Sequence, residues 1–315
     1  DGLTVVQPKD TDELEAGLRT KKLDAVFVGR PQAEKLKRAV PQLQETTVGQ
    51  SMFYGMRFFE PQFPYNDVRF RNAVAAALDR RAMIQQWFAG SGDLNPWVSW
   101  PMTRWTLPQS ELTNVAGYRP GAAGREQDIA EARALMAAFR SEKKLPDTDL
   151  PLFVPDDAEA NLGLGSLIRQ QLKAALDLNV AIYPLPIGDL VGRMLSGNAS
   201  WVAGPDNGWI DLDDWLYPYF HSSGTKNSFA LRSPELDGLI DAQRKELDEG
   251  KRRAIGHDVQ RRLLALNLGV NFVSERVVAL AWPYVRGFPL DASDGYQHRF
   301  ADAWIDRNDP SFRGR

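Results

Sequence analysis

Residues 66–90, NDVRFRNAVAAALDRRAMIQQWFAG, carry the strongest helical pattern in the chain. Their apolar residues recur every three or four positions, which places them on one face of an α-helix. The opening Asn-Asp pair can cap the start, and Gly90 stands where a helix C-cap is expected. We therefore predict one amphipathic helix, in which Asp79 and Arg80 form a structural ion pair or capping contacts.

Downstream of this helix, strand and helix patterns alternate. Short apolar runs at 149–154, 178–186 and 199–204 read as strands, and amphipathic runs at 158–177 and 187–197 read as helices between them. Strands that alternate with helices are typical of a parallel sheet covered by helices. The sequence therefore predicts an α/β fold class with a parallel sheet.

The two ends of the chain have different characters. LTVVQ at 3–7 reads as a strand, TDELEAGLRTKK at 11–22 as a helix capped by Thr11, and LDAVFVG at 23–29 as a second strand. These elements predict a β-α-β unit. The polar tail at 299–315 is expected to be partly disordered.

Composition narrows the classes of function. The 315 residues favour two domains, and 43% hydrophobic with 25% charged residues is the balance of a globular protein. A net charge of −3 without a basic stripe gives no reason to expect nucleic acid. The absence of cysteine from the sequence excludes disulfides, cysteine-ligated zinc and thiol catalysis. The opening DGLTVVQ lacks a signal-peptide pattern, so we expect any targeting peptide to be absent or already removed.

The stretch GPDNGWIDLDDWLYPYFHSSGTKN, residues 204–227, follows the predicted strand at 199–204. Loops after the strands of α/β proteins often contact ligands, so Asp206, Asn207 and Trp209 are candidate ligand-binding residues. The alternative for Trp209 is packing over the strand ends. The later aspartates 213 and 214 are expected to cap a short helix, since the spacing does not fit a calcium loop. No metal site and no cofactor are predicted.

A second aromatic loop, NPWVSWPMTRW at 95–105, holds three tryptophans and Arg104. Aromatic rings beside an arginine suit a ligand with a sugar face or a carboxylate, which makes Trp100 and Arg104 candidate ligand contacts. The alternative is a loop folded onto the domain, with its tryptophans forming a satellite core.

An enzyme is the less favoured class. The three histidines are scattered, and no recognised motif assembles a nucleophile, a base and an orienting group. A glycosidase could use the carboxylates of Asp206 and Asp211 as an acid–base pair, and an acidic aromatic loop permits that alternative. We predict no catalytic residues.

Three segments resemble one protein family in the same order. FPYNDVRFRNAVAAALDRRAMI (63–84), EARALMAAF (131–139) and DLDDWLYPYFHSSGTKNSFALRSPELDGLIDAQRKELD (211–248) are similar to motifs of the family 5 extracellular solute-binding proteins. These proteins are the binding components of bacterial ABC importers. The resemblance implies a periplasmic-binding-protein-like, two-lobed α/β fold, with one lobe largely complete and the other only partly present.

The resemblance also implies a division of the chain and a mode of binding. Residues 1–48 and 273–315 would belong to domain I, and residues 49–272 would form the second lobe. Ligand would lie between the lobes. In peptide-binding relatives an aspartate in the loop after the 199–204 strand receives the peptide's α-amino group. The matching position here is Gly208, and Asp206 lies two residues away.

The function implied by the resemblance is capture of a small solute, with an oligopeptide as the first expectation, and delivery to an ABC permease in the membrane. The alternatives are an oligosaccharide or metal-chelate ligand, or a ligand-sensing effector domain of a transcriptional regulator. We expect a non-catalytic monomer in the periplasm or outside the cell. Attachment to the membrane through a removed N-terminal signal is compatible with this expectation.

Overall fold

The structure is a computed structural model that describes residues 2–49, 52–94, 97–98, 102–156, 159–207, 211–288 and 297–313. The chain divides into two compact units. Unit 1 comprises Asp1–Met52, Ile84–Asp93 and Ser274–Arg315, and unit 2 comprises Phe53–Met83 and Leu94–Val273. Each unit has an apolar core of its own.

Helices and strands follow one another along most of the chain. The first half contains α1 (Thr11–Arg19), β1 (Ala25–Val28), α2 (Arg30–Ala39), β2 (Gln44–Gly49), β3 (Met52–Phe58), α3 (Val68–Ala77), α4 (Arg80–Trp87), β4 (Gly92–Leu94), α5 (Gln109–Leu112) and α6 (Gly121–Glu142). The second half contains β5 (Leu150–Pro155), α7 (Glu159–Leu176), β6 (Val180–Leu185), α8 (Ile187–Leu195), β7 (Trp201–Asn207), α9 (Leu212–Phe220), α10 (Pro234–Lys245), α11 (Glu249–Leu266), β8 (Gly269–Ala281), β9 (Val285–Arg286) and β10 (Trp304–Ile305). The 3₁₀ helices are Thr103–Trp105, Gln297–Asp302 and Pro310–Phe312.

In unit 1 the later part of β8 is paired on both edges. It runs antiparallel to β1 from Ala281 to Val278, and antiparallel to β2 over the same residues and on to Arg276. Helix α1 buries Leu14 and Leu18, one turn apart, against this sheet. Their partners in the core are Leu36, Val278, Leu280, Trp282 and Tyr284.

The predicted strand at 3–7 is wrong. Residues 2–8 have no regular secondary structure, and Leu3 and Val5 are 62% and 85% exposed. A short apolar run is stable as a strand where its side chains are buried, and these side chains are exposed. The cap of α1 is also one residue earlier than predicted, since the Asp10 carboxylate accepts the Glu13 N–H at 2.8 Å.

The polar tail is ordered from residue 297 to 313, which corrects the prediction of partial disorder in that range. Strand β10 pairs with β9, and Arg286 forms an ion pair with Asp309 at 2.9 Å. Lys21 Nζ donates to the Ser311 carbonyl at 2.7 Å. Buried and charged contacts therefore hold a segment whose composition alone suggested a loose end.

Unit 2 contains the predicted parallel sheet. Strand β5 pairs in parallel with β6 along its whole length and with β7 at Phe153 and Val202. Strand β3 lies beside β7 and runs antiparallel to the first part of β8, which gives the order β8-β3-β7-β5-β6. The glycines at 163 and 165 lie inside α7. The alternation of strands and helices thus predicted this part of the fold correctly.

The predicted single helix over 66–90 is two helices, α3 and α4. Leu78 leaves the helical region with φ −85° and ψ 123°, and the Asp79 carboxylate accepts the Ala82 N–H at 2.9 Å. The Arg80 guanidinium turns back and donates to the carbonyls of Ala75, Asn271 and Gly117 at 3.1, 3.2 and 2.8 Å. Capping contacts rather than an ion pair between neighbours therefore explain the Asp-Arg sequence.

Other arginines of unit 2 bind main-chain carbonyls in the same way. The buried Arg71 donates to Tyr65 and Leu266 at 2.6 and 2.8 Å. Arg125 donates to the carbonyls of residues 76 and 77 at the end of α3, and Arg133 and Arg140 donate to those of residues 175 and 176 at the end of α7. The last carbonyls of a helix have no partner within it, so these guanidinium groups satisfy acceptors that would otherwise be unpaired.

Helices α9, α10 and α11 enclose the main aromatic core of unit 2. Helix α9 begins at its cap Asp211, whose carboxylate accepts the Asp213 N–H at 3.0 Å. The prediction that residues 213 and 214 act as caps is therefore wrong by two and three positions, and both acids stand in the first turn. Asn227 is a turn residue, since its amide donates to the Leu231 carbonyl at 2.8 Å.

No helix within the described ranges is both long and apolar enough to cross a lipid bilayer. Across the same part of the chain, no group of three or more histidine, aspartate and glutamate side chains is placed to hold a metal ion.

Arg80→Lys tests the carbonyl-binding role of the arginines. We expect this substitution to lower the free energy of unfolding by about 2–4 kcal/mol, because one ammonium cannot replace a planar fork that serves three carbonyls. Arg81→Lys is the matched control, since Arg81 is exposed and its contact to Tyr118 O is long, at 3.5 Å. Chemical denaturation measures both variants. If Arg80→Lys and Arg81→Lys lowered the free energy of unfolding equally, the carbonyl-binding role of Arg80 would be contradicted.

Asp67→Asn tests the cap of α3. The Arg69 guanidinium donates hydrogen bonds to the Asp67 carboxylate, with 2.9 Å between Nη2 and Oδ2, and the Lys143 ammonium lies 3.0 Å from the same oxygen. These contacts hold the pKa of the Asp67 carboxyl well below its usual range. A carboxyl with a lowered folded-state pKa stabilises the fold above the unfolded-state pKa of about 3.9. We expect Asp67→Asn to lower the free energy of unfolding by about 1–3 kcal/mol near neutral pH.

The difference in the free energy of unfolding between wild type and Asp67→Asn should become smaller as the pH falls below about 4 toward the lowered pKa. Denaturation between pH 2 and 7 measures it. Asp147→Asn is the control, because its partner Lys144 and its own side chain are both more than 80% exposed. A difference that stays constant over this pH range would contradict the prediction.

Candidate functional site

Strand β7 is firmly held in unit 2 and delivers Asp206 to its carboxyl end. The fully buried Trp201 donates its indole N–H to the Met56 sulfur at 3.1 Å, and its ring lies 5.8 Å from that of Phe58. Asp206 is the residue before the last of the strand. In sheets with parallel strands this edge is where ligands usually bind. The buried start of β7 therefore fixes the position of a polar group at the edge.

Asp206 forms an ion pair with Arg57 of the neighbouring strand β3. Their side chains are only 17% and 19% exposed. The guanidinium carbon lies 5.7 Å from the Tyr219 ring centroid and 5.8 Å from that of Phe229, within the range of cation–π attraction. Burial lowers the pKa of the Arg57 guanidinium to about 10, so it keeps its charge at neutral pH.

The backbone of β3 sets the direction of Arg57. The registers of β3 and β8 shift by one residue between Tyr54 and Gly55. Beyond this irregularity, Met56 contacts Trp201, whereas the next side chain, Arg57, reaches the opposite aromatic group. Gly269 allows this close pairing, because a Cβ there would lie 2.1 Å from the Met56 carbonyl oxygen. The sheet thus positions one arginine against one aspartate on adjacent strands.

A second charged pair lies after the loop. Arg252 donates two hydrogen bonds to the Asp211 carboxylate, at 2.6 and 3.2 Å, and its guanidinium carbon lies 4.9 Å from the Trp105 ring. Partial burial raises the pKa of Asp211, but the hydrogen bonds from Arg252 and the Asp213 N–H outweigh it and leave the pKa below its usual value. A glycosidase acid needs a raised pKa. Asp211 is therefore better explained as a helix cap than as an acid catalyst.

The predicted site residues that the structure describes lie in different environments. Asp206 lies in the buried pair, and Asn207 ends β7. Arg104 is exposed, lies 5.2 Å from the Trp105 ring and contributes to the field at Asp211. Trp209 and Trp100 lie outside the described residues. Of the other tryptophans in the 95–105 loop, those at 97 and 105 are buried in the core of unit 2, as the alternative for that loop anticipated.

Arg57 is a site residue that the sequence patterns did not predict. The signal was present in FYGMRFF, residues 53–59, where one charge stands inside an aromatic strand. A charge buried in a strand needs a partner of opposite sign, but the sequence offers several acids after extended runs, among them Glu60, Asp156 and Asp206. Tyr219 was also missed, and the Lys226 ammonium lies 5.4 Å from its ring.

Relatives of this chain are solute-binding proteins. Over 269 residues it is 23% identical to the "Probable di/tripeptide-binding protein 5" of Pseudomonas aeruginosa (strain UCBPP-PA14), covering 81% of this chain and 46% of that protein. The chain thus spans about half the length of this curated relative.

Solved structures with the same fold agree. The substrate-binding protein CtaP of Listeria monocytogenes matches with a TM-score of 0.78 at 15% identity, over 95% of this chain and 59% of that one. DppA of Helicobacter pylori, solved with the peptide STSA, matches with a TM-score of 0.75 at 14% identity, over 94% and 55%. The chain therefore has the periplasmic-binding-protein fold, of which it covers a part.

The model of one protein family matches residues 1–227, which is most of the chain. Its description is "Bacterial extracellular solute-binding proteins, family 5 Middle". This match includes the 63–84 and 131–139 motifs and the candidate site around Asp206, so this chain belongs to the bacterial extracellular solute-binding proteins of family 5.

Proposed function

We propose that this chain forms part of the substrate-binding component of a bacterial ABC importer and that its ligand is a peptide. The family and the fold support a binding role. The Pseudomonas aeruginosa relative is named as a probable di/tripeptide-binding protein, and the Helicobacter pylori structure holds a short peptide. Because the chain spans about half of its relatives, the proposal concerns the whole protein of which this sequence is a part.

The observation that carries the proposal is the position of the Asp206 carboxylate. It lies at the carboxyl end of β7, only 17% exposed, and its partner Arg57 lies near the rings of Tyr219 and Phe229. A partly desolvated carboxylate in such a place suits an ammonium group, because charge-assisted hydrogen bonds are strongest away from bulk water. We propose that Asp206 receives the α-ammonium of the peptide, although it stands two positions before the expected Gly208.

The remaining predicted contacts follow from this placement. Asn207 adjoins Asp206 along β7 and would orient the ligand through its amide, and Trp209 in the following loop would supply an apolar surface for a peptide side chain. Trp100 and Arg104 are proposed as further ligand contacts from the residue types of the 95–105 loop. A neutral oligosaccharide is the poorer fit, since it offers no charge to a buried ion pair.

We further propose that the protein binds its peptide without turnover outside the cytoplasmic membrane and delivers it to an ABC permease. Native mass spectrometry of the natural full-length protein from its host tests the ligand class directly. A co-purified mass that fragments into amino acids is expected. A hexose series or a metal chelate would overturn the peptide assignment. Incubation with peptide libraries should leave every peptide intact.

Asp206→Asn in the full-length protein tests the ammonium contact. We expect affinity for a bound peptide to fall by about 1.5–3 kcal/mol, because the neutral amide loses a charge-assisted hydrogen bond. The substitution also leaves Arg57 without its partner, so calorimetry must be run below the melting temperature of the variant. Asp258→Asn is the matched control, an exposed acid that pairs with Arg261 at 2.7 Å. Equal affinity in wild type and Asp206→Asn would refute the contact.

Trp209→Ala in the full-length protein distinguishes a ligand contact from a core residue. We expect affinity to fall by about 1–3 kcal/mol with little change in melting temperature, since one buried aromatic contact is lost only in the complex. Titration calorimetry and thermal melting of the same sample measure both quantities. Unchanged affinity with a collapsed melting temperature would instead assign Trp209 to the core.

A further inference from the structure

Helix α8 of unit 2 exposes a row of apolar side chains. Ile187, Val191 and Leu195 are 46%, 44% and 60% exposed, and they follow one another at intervals of four residues. Side chains at this spacing lie above one another on a helix, here in a row about 12 Å long. Leu190 points the other way and is buried in a small cluster against the sheet. Single exposed apolar residues are common, but a continuous row on a helix indicates an interaction surface.

Two further rows complete the exposed face of α8. Because successive residues turn by about 100°, Gly188 and Gly192 lie beside the apolar row, and Asp189 and Arg193 lie beyond the glycines. A Cβ added at either glycine would have no neighbour within 4 Å among the described residues, so this face is uncovered in unit 2. Both charged side chains are exposed, and neither forms an ion pair within the described part of the chain. The Arg193 guanidinium carbon lies 5.9 Å from the Phe153 ring.

The exposed face of α8 is complementary to itself. In an antiparallel pair of α8 helices related by a two-fold axis at Val191, a residue before position 191 faces the residue equally far after it in the second copy. Ile187 then faces Leu195, so apolar side chains meet on one flank. Asp189 faces Arg193, so opposite charges meet on the other flank. The glycines between the flanks carry no side chain that would hold the two helix axes apart.

We infer that α8 binds the α8 helix of a second copy, so that the full-length protein forms a weak two-fold symmetric dimer through unit 2. This inference departs from the monomer expected from the sequence, and it does not depend on the proposed ligand. A lipid surface is the poorer fit, because membrane-surface helices are rich in lysine and arginine, whereas α8 carries one charge of each sign. One pair of nine-residue helices is a small contact, so we expect a reversible dimer that forms above about 10–100 µM protein.

Val191→Glu in the full-length protein tests the apolar row. Sedimentation velocity over a range of protein concentrations should show a reversible dimer for wild type. The substitution should raise the dissociation constant of the dimer at least about 10-fold, because it places a charge at the centre of the apolar contact. Val68→Glu is the matched control, since Val68 is 41% exposed on α3, and it should associate as wild type does. Thermal melting of the same samples measures whether the variants are folded.

Asp189→Arg and Arg193→Asp test the two-fold arrangement. Each variant alone places like charges opposite one another, and the dissociation constant of its dimer should rise by about 3–30-fold, since two exposed ion pairs are lost. An equimolar mixture of the two variants should associate as strongly as wild type, because every arginine then faces an aspartate of the other variant. A general loss of the fold could not be rescued by mixing, so this measurement decides the matter even if Val191→Glu fails to fold.

Three outcomes would overturn the inference. The first is a wild-type protein that stays monomeric at every concentration, which would leave the α8 face to another occupant or to solvent. The second is a dimer that neither Val191→Glu nor the charge variants weaken, which would place the contact on another surface. The third is a mixture of the two charge variants that associates no better than either alone. Peptide affinity of the same samples is a separate readout, and its absence in a protein that dimerises would refute the proposed function alone.

Discussion

The helices of unit 2 depend on arginine side chains that bind main-chain carbonyls. Every α-helix ends with carbonyls that lack a partner, and a buried end needs donors from elsewhere. Here Arg80 and Arg125 serve the end of α3, and Arg133 and Arg140 serve the end of α7. A guanidinium group offers five donors in one plane, so a single side chain can join several segments. The positive φ of 85° at Gly117 belongs to the same device, because a Cβ there would collide with the Arg80 guanidinium.

Apolar packing on both faces of β3 and β7 explains how a charged pair can be held at the site. Around β7, Trp201, Phe58 and Tyr65 form a close-packed apolar group, and on the other face of β3 the rings of Tyr219 and Phe229 surround Arg57. The strands are thus fixed by apolar contacts on both sides before any charge is considered. Against such rigid surroundings an ion pair costs little additional ordering, and its two charges stay where a ligand can meet them.

The periodicity of apolar residues predicted the alternating strands and helices of unit 2. The parallel order of β5, β6 and β7 followed from strand and helix periodicity alone. The break between α3 and α4 was not predictable in that way, because it depends on carbonyls brought to Arg80 from residues 117 and 271. The strand expected at 3–7 failed because an apolar run does not by itself decide whether its side chains are buried, and Leu3 and Val5 are exposed. At the site, the loop after β7 was found from its position, whereas the counter-ion of Asp206 came from a distant strand.

The charge state of Arg57 has a consequence for the conditions of capture. A guanidinium with a pKa near 10 remains protonated around neutral pH. Arg57 therefore contributes no proton exchange to binding around neutral pH, and the α-amino group of a free ligand, which ordinarily titrates near 8, becomes the group whose protonation matters. For the peptide ligand proposed above, loss of the ammonium charge would weaken its contact with Asp206 as the medium turns alkaline.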